Sequence, residues 1–231
     1  MHENVANMSA TAAIRWINPA LSWVLAFCAI GAAVSPATGS EQRCSYQIHD
    51  SLYGSIGVYN NVIEKNGDAT TVITEAHIRI SLLGVVLYKQ DVSRIERLVG
   101  GRLISFHGVT TENGKPTEVN GWAEADHFIV TSPSGKVTAP ATIRSANPWF
   151  AAAEGGDTIL MPDTGLISKM HASGGEETAI TIDGATKQVR QYHIETAGPA
   201  EQYEVWMDKD GTPIMFNIKD RDGTDTFTLI R

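Results

Sequence analysis

The stretch from Thr70 to Thr111 constrains the fold most, because it has the pattern of three long β-strands joined by short turns. From Val72 to Leu82 every second residue is apolar or small, and the residues between are mostly polar. A period of two gives a strand one dry face and one wet face. Gly84 ends the first strand, Gly100-Gly101 predicts a two-residue hairpin with both φ angles positive, and Asn113-Gly114 predicts another turn.

The rest of the chain after Ser45 repeats this pattern of short alternations and turn signals, such as Asn66-Gly67 and Asp183-Gly184. Short connections favour antiparallel pairing, and we count about ten or eleven strands. The strand Thr70–Leu83 is much longer than the usual ~5–6 residues. Long strands twist and coil strongly. The sequence therefore predicts an all-β fold, a strongly curved antiparallel meander sheet of about ten strands that forms a half-barrel or an open barrel.

One short helix is predicted from Asn147 to Glu154. Asn147 is a favourable N-cap, Pro148 suits the first helical position, and Gly155-Gly156 ends the segment. A half-barrel has a concave apolar face, and we expect this helix to be a lid or plug for it.

The first forty residues have the order of a secretory signal peptide. Arg15 precedes the uncharged apolar run from Ala20 to Val34, and small residues follow Pro36. We predict cleavage between Ala37 and Glu41, which leaves a single all-β domain over residues 41–231 without a transmembrane span, located in the periplasm or secreted. An uncleaved anchor is the alternative, although the run is short of the ~20 residues that a membrane span needs.

Composition narrows the classes of partner and chemistry. The formal net charge is −8 without a cluster of Lys and Arg, so nucleic acid is not an expected partner. Cleavage leaves Cys44 as the only cysteine, which excludes an internal disulfide. We interpret Cys44 as a buried structural residue, with a reactive thiol as the alternative.

The sequence contains no catalytic or cofactor motif that we recognise. Serine-nucleophile, P-loop and dinucleotide signatures are absent, and the histidines lack the spacing of zinc ligands. The Asp-x-Asp-Gly segments at Asp208 and Asp220 resemble calcium loops, but Lys219 and Arg231 stand where a bidentate Glu is needed, so we interpret both as turns. We therefore predict no catalytic residue, no metal and no cofactor.

Several short segments resemble a family of secreted bacterial proteins of unknown function, which are similar to the half-barrel lipid and lipoprotein carriers of the periplasm. The segments are Glu96, Gly101-Arg102-Leu103, Thr110 to Gly114, Pro140-Ala141, Ser145, Trp149, Leu160 to Gly165 and Glu204 to Asp208. Such sequences have an aromatic residue before the Gly-Arg-Leu turn, where this chain has Leu98. The resemblance implies export and a half-barrel fold, and it implies no catalytic residues.

The preferred prediction for function is a non-catalytic binder or carrier of an amphiphilic or lipid-like ligand in the cell envelope. Six aromatic residues are predicted to line or close its site: Trp122, Phe128, Trp149, Phe150, Trp206 and Phe216. Each is also explained as ordinary core. Two alternatives remain: an envelope hydrolase or isomerase that uses His and Asp/Glu from separate strands, and a structural envelope protein that binds a partner through a sheet edge.

Overall fold

The computed structural model describes residues 39–152, 157–197, 202–219 and 223–230. The predicted signal peptide and its apolar run therefore lie outside the described residues. Within the described ranges, no helix has the length and apolar character of a membrane span.

The described chain forms fifteen strands and one 3₁₀ helix. The strands are β1 Ser40–Asp50, β2 Gly54–Asn66, β3 Ala69–Leu82, β4 Val85–Val99, β5 Arg102–Glu112, β6 Lys115–Glu124, β7 His127–Ser132, β8 Gly135–Pro140, β9 Arg144–Ser145, β10 Thr158–Leu160, β11 Ile167–Ile182, β12 Ala185–Thr196, β13 Gln202–Met207, β14 Pro213–Lys219 and β15 Thr224–Leu229.

All fifteen strands belong to one sheet, with the order β8-β7-β6-β5-β4-β3-β2-β1-β15-β14-β13-β12-β11-β10-β9. Neighbours are antiparallel except β9 and β10, which run parallel where Arg144 lies opposite Ile159. The first and last strands pair with each other, from Tyr46 opposite Leu229 to Asp50 opposite Asp225. This pairing joins two meanders into one curved sheet and confirms the predicted fold class.

The predicted number of strands, about ten or eleven, was too low. β9 and β10 have only 2 and 3 residues, so a period of two leaves no recognisable trace in them. β11 begins at Ile167, whereas the alternation in the sequence is recognisable only from Glu177. The first half of the strand contains Gly174-Gly175 and a bulge, which interrupt the pattern.

The sheet curls until its β9 end faces β4. These two strands are far apart in the sheet order, yet the Ser145 hydroxyl on β9 donates a hydrogen bond to Glu96 on β4. The core fills the enclosed space in two main clusters. The first core cluster surrounds Tyr46, Tyr59, Phe216 and Phe227, and the second surrounds Phe106, Val119, Phe128 and Leu160.

The predicted turns at Gly100-Gly101 and Asn113-Gly114 are confirmed. The φ angles are 55° and 77° at the first turn, and 47° and 82° at the second. The predicted helix begins correctly, since the Asn147 side chain accepts from the backbone N–H of Trp149 at 3.1 Å.

The helix is shorter than predicted. It is a 3₁₀ helix over Pro148–Phe150, closed by a bond from the N–H of Ala151 to the carbonyl of Pro148. So short a segment has no helical stability of its own and depends on its N-cap and packing. The predicted end at Glu154 lies outside the described residues.

Candidate functional site

A row of polar residues crosses the concave face of β2 to β5. Asn61, Thr74, Arg94 and Gly108 lie directly opposite one another on successive strands. The Thr74 hydroxyl donates to the Asn61 side-chain oxygen at 2.6 Å, and both residues are buried. A Cβ at position 108 would lie 3.3 Å from the Cγ of Arg94. The glycine therefore leaves room for the Arg94 stem.

Arg94 forms the charged centre of the site. Its side chain is only 11% exposed, and its Nη2 donates to the Oδ1 of Asp163, a residue of the β10–β11 loop that is 42% exposed. The Thr110 hydroxyl on β5 donates to the same oxygen at 2.5 Å. The Nε of Arg94 is buried and has no hydrogen-bond partner among the described residues. The guanidinium thus retains donor capacity after pairing with Asp163.

Glu96 lies two residues further along β4, on the same face, and is 1% exposed. Its carboxylate accepts from the hydroxyl of Ser145 and from the Nδ2 of Asn147, the latter at 2.9 Å. Burial raises the pKa of Glu96, while these two hydrogen bonds and the Arg94 charge oppose that shift. The contacts connect β4 to β9 and to the N-cap of the 3₁₀ helix.

Two adjoining pockets occupy the concavity beside this polar centre. The first has a volume of about 70 Å³ and is lined mainly by apolar residues of the core and the 3₁₀ helix, with Arg94 and Asn147 among its few polar groups. The second has a volume of about 450 Å³ and is bounded by the β10–β11 loop. The two share Tyr59, Arg94, Ala146, Tyr203, Ile218 and Phe227. Arg94 therefore stands where an apolar pocket meets a more polar one.

This arrangement suits recognition of an anion attached to an apolar body. A guanidinium in a largely desolvated site attracts carboxylate or phosphate strongly, and its planar donors match both groups. Tyr59 lines both pockets, and burial raises its pKa, so its phenol is neutral and adds no competing negative charge.

The structure brings part of the predicted aromatic set to the pockets. Phe150 and Phe216 line the first pocket. Trp149 is partly buried and packs against both main core clusters beside Phe150. Its Nε1 is buried without a hydrogen-bond partner in the described part of the chain.

The other three aromatic residues lie elsewhere. Phe128 is fully buried in the second core cluster. Trp206 lies in a smaller cluster, on the face of β13 opposite Val205. Trp122 lies on the face of β6 opposite the buried Val119, donates to Glu124 at 2.9 Å and has Lys136 over its ring. A period of two cannot say which apolar face of a strand is concave, so the sequence did not separate these positions.

Other sequence interpretations are resolved locally. Cys44 is buried, and burial raises the pKa of its thiol, which favours the structural interpretation. The Asp208 carboxylate accepts from the backbone N–H groups of Asp210 and Thr212, as expected of a turn, whereas Asp220 lies outside the described residues. No group of three or more potential metal ligands occurs among the residues that the structure describes.

The strand histidines are surface residues with polar neighbours. His77 lies 2.9 Å from Asp91, His107 lies 2.7 Å from Asn120, and His193 lies 3.4 Å from Glu204. None of these histidines lines either pocket.

Sequence reasoning missed Arg94 and did not identify Glu96, Ser145, Thr110 and Asp163 as a site. The signal was present, since the last four all fall in the short segments that carried the family resemblance. Their separation along the chain, from 49 residues for Glu96 and Ser145 to 69 for Arg94 and Asp163, hid their contact.

Comparison with known proteins agrees with this architecture. A family model described as a domain of unknown function, DUF6134, matches residues 54–230. The crystal structure of a β-barrel-like protein of the domain of unknown function DUF1849 from Brucella abortus is similar, with a TM-score of 0.62 and 11% sequence identity over 82% of this chain and 95% of that chain. At this identity the similarity concerns the fold alone. No curated protein matches the chain.

Proposed function

The chain belongs to the DUF6134 family, and from that premise we propose that it binds and carries an amphiphile with an anionic head group, without catalysing a reaction. The observation that carries the proposal is the position of one buried guanidinium, that of Arg94, at the junction of two pockets in the barrel. The acyl part of the ligand occupies the second pocket, its end reaches the first, and its carboxylate or phosphate contacts Arg94.

The second pocket supplies most of the affinity. Its volume of about 450 Å³ is in the range of small-molecule sites, ~300–1,000 Å³. Its walls are largely aliphatic and aromatic, including Ile78, Val92 and Phe227, and the smaller first pocket extends them with Met170 and Phe216. Each methylene that leaves water contributes roughly 0.8 kcal/mol, so a long acyl chain binds well without specific polar contacts.

Arg94 supplies the selectivity for charge. A buried cation favours an anion nearby, and Asp163 uses one of the five N–H donors of the guanidinium. Asp163 is partly exposed, so it can yield one side of the guanidinium to a ligand at small cost in solvation.

A carrier fits these surroundings better than the alternatives. No histidine is among the described residues that line the pockets, and the Ser145 hydroxyl is engaged by a carboxyl group whose raised pKa disfavours its charged form. A nucleophile with a general base is therefore not in evidence there. The sheet edge at β8 ends at Pro140, a residue typical of edges that avoid pairing, so binding through that edge is less favoured. With the predicted signal peptide, we propose the periplasm as the site of action.

The test uses three ligands of equal chain length: hexadecanoate, hexadecanol and hexadecylamine. Tryptophan fluorescence should respond most strongly to hexadecanoate and least to hexadecylamine. Trp149→Phe should remove most of the response, because Trp149 adjoins Phe150 at the pocket wall. Native mass spectrometry of protein taken from its own cells should show a bound lipid.

Arg94→Gln should reduce the preference for hexadecanoate over hexadecanol by about tenfold or more, the usual effect of losing a hydrogen bond to a charged group. Arg190→Gln is the matched control, since Arg190 is an exposed residue of β12 and its loss should leave the preference unchanged. A flat response to all three ligands, together with no co-purified lipid, would contradict the proposal.

A further inference from the structure

The hairpin of β3 and β4 projects beyond the strands on either side of it. Pairing with β2 ends at Ile78, and pairing with β5 ends at Gln90. From Arg79 to Lys89 the two strands have only each other as strand partners within the described chain, apart from turn bonds between Lys89 and Asn113. We call residues 79–89 the ribbon.

The end of the ribbon is apolar and exposed. Every residue from Ser81 to Leu87 is exposed, and Leu83 at the turn is 96% exposed. The large apolar residues are Leu82, Leu83, Val85, Val86 and Leu87. Native surfaces rarely gather so many in one place without a binding role.

Leu83 also opposes the local preference of the backbone. It has φ 51° and is followed by Gly84 at φ 83°. The same two-residue geometry occurs at Gly100-Gly101, Asn113-Gly114 and Asp183-Gly184. Those three turns begin with Gly, Asn or Asp, which tolerate positive φ, whereas a leucine is disfavoured there. The geometry of the turn therefore does not explain why a leucine occupies position 83.

The apolar residues face both sides of the ribbon. Leu82 pairs with Val85, and Ser81 pairs with Val86, so the two pairs point to opposite faces, while a bulge adds Leu87. A flat protein surface would cover one face, whereas an apolar medium surrounds both faces and the tip at once.

Behind the apolar end come an aromatic residue and two cations. Tyr88 lies opposite Ile80, and Arg79 lies opposite Lys89. Like charges directly opposite each other destabilise a strand pair. Here the charge of Lys89 is partly balanced by Asp91, whose Oδ2 lies 2.5 Å from the Lys89 Nζ. Apolar tip, tyrosine and cations follow the order of hydrocarbon, interface and head group in a bilayer. We propose that the ribbon inserts its tip into the surface of an anionic lipid membrane.

The dimensions agree with shallow insertion. Three residues of strand separate Tyr88 from the turn, about 10 Å at ~3.3 Å per residue. Interfacial segments bury their apolar groups by ~5–10 Å. The base of the ribbon, Ile78 and Gln90, lines the second pocket. Insertion therefore brings that pocket to the membrane, although the proposal does not depend on what the pocket binds.

The first test measures binding to vesicles of phosphatidylethanolamine and phosphatidylglycerol by co-sedimentation. Leu83→Asn should weaken binding about tenfold or more, the effect of withdrawing one leucine from hydrocarbon. It should keep or raise the melting temperature, because Asn suits the turn. Arg79→Gln and Lys89→Gln should each weaken binding about fivefold in low salt. Ile95→Thr, a control on the exposed face of β4, should bind like wild type.

The second test reports depth and is insensitive to any contribution of the apolar run 20–34. In vesicles that contain brominated acyl chains, the added fluorescence of Leu83→Trp should be quenched and that of Ile95→Trp should not. Absence of quenching at position 83, or equal vesicle binding by wild type and Leu83→Asn, would overturn the proposal. Self-association that Leu83→Asn abolishes, without vesicle binding, would also overturn it by assigning the ribbon to a second copy of the chain.

Discussion

Arg94 and Glu96 stand two residues apart on the concave face of β4, and their surroundings differ. Glu96 is sealed from solvent by its contacts with Ser145 and Asn147. Arg94 borders two pockets, and its partner Asp163 is partly exposed. One residue connects distant parts of the barrel, and the other presents its charge to a space that a ligand can enter.

The difference shows how one strand serves stability and binding at adjacent inward positions. A polar group with complete, buried partners holds elements in one arrangement, and its loss leaves those partners unsatisfied. A charge with a solvent-accessible partner can exchange that partner at little cost. The following predictions test whether the Glu96 contacts are structural and the Arg94 contacts exchangeable.

Replacing Glu96 by Ala should have the largest effect on stability. The change opens a cavity and leaves the Ser145 hydroxyl and the Asn147 amide without their acceptor, so the free energy of unfolding should fall by about 2–5 kcal/mol. Urea denaturation measures it. Glu177→Ala removes a carboxylate that is largely exposed, and it should change stability by less than about 0.5 kcal/mol. Similar losses of unfolding free energy in both variants would show that the contacts of Glu96 with Ser145 and Asn147 do not stabilise the fold.

Gly165→Ala should have the second largest effect on stability, because it strains the loop that contains Asp163. A Cβ there would lie 2.5 Å from the Cβ of Ser132, and φ is 73°. We expect a loss of about 2–3 kcal/mol, from steric overlap added to the unfavourable φ.

Gly101→Ala is a control that separates the two causes of the loss in Gly165→Ala, steric overlap and an unfavourable φ. It has φ 77° and nothing within 4 Å of the added Cβ, so it measures the backbone contribution alone, about 1 kcal/mol. Equal losses at positions 165 and 101 would mean that the loop does not pack on β7 as described.

The pH dependence of stability should distinguish wild type from Glu96→Gln. In the unfolded chain Glu96 titrates near 4.5, and burial raises its pKa in the folded state. The folded state then binds more protons between these two values, so the contribution of Glu96 to stability is complete below about 4.5 and is lost as pH rises through the folded pKa.

The neutral Gln can donate to Ser145 and accept from Asn147, and it should not show this fall. The free energy of unfolding of Glu96→Gln, relative to that of wild type, should therefore rise with pH in a series of urea titrations from about pH 4.5 upward. A constant difference between the two proteins across the series would refute a raised pKa for Glu96.

Asp163→Asn should have the smallest effect on stability, at most about 1 kcal/mol, because the Asp163 carboxylate is partly solvated. It should raise the affinity for hexadecanoate several-fold, since the neutral amide competes less for Arg94. Thr110→Val, which removes the other donor to Asp163, is a control that leaves the Asp163 charge in place. Unchanged affinity in Asp163→Asn would mean that Arg94 does not meet the ligand.

Much of the fold followed from the sequence because strands and two-residue turns are local features. The alternation from Val72 to Leu82 and the pairs Gly100-Gly101 and Asn113-Gly114 specify strands and turns within a few residues. The N-cap role of Asn147 was equally local. β9 and β10 could not be predicted, because they exist only through the pairing of β9 with β10 and of β10 with β11, and through packing inside the curled sheet.

The candidate site was predicted only in fragments. An apolar concave face is the kind of property that periodicity expresses, and Phe150 and Phe216 do line a pocket. Which strand positions face the pockets depends on the direction of curvature. For this reason Trp122, as good a candidate as Phe150 by sequence, lies on the other face of its strand.

The class of fold, the turns and the alternation that gives each strand an apolar face can be predicted from the amino-acid order, since all of these arise from neighbours along the chain. The contacts of Arg94 with Asp163 and of Glu96 with Ser145, and the extension of the β3–β4 hairpin beyond the adjacent strands, become visible only in the folded chain. Those facts depend on how far the sheet curls and where each register ends, which are set by the packing of the whole barrel.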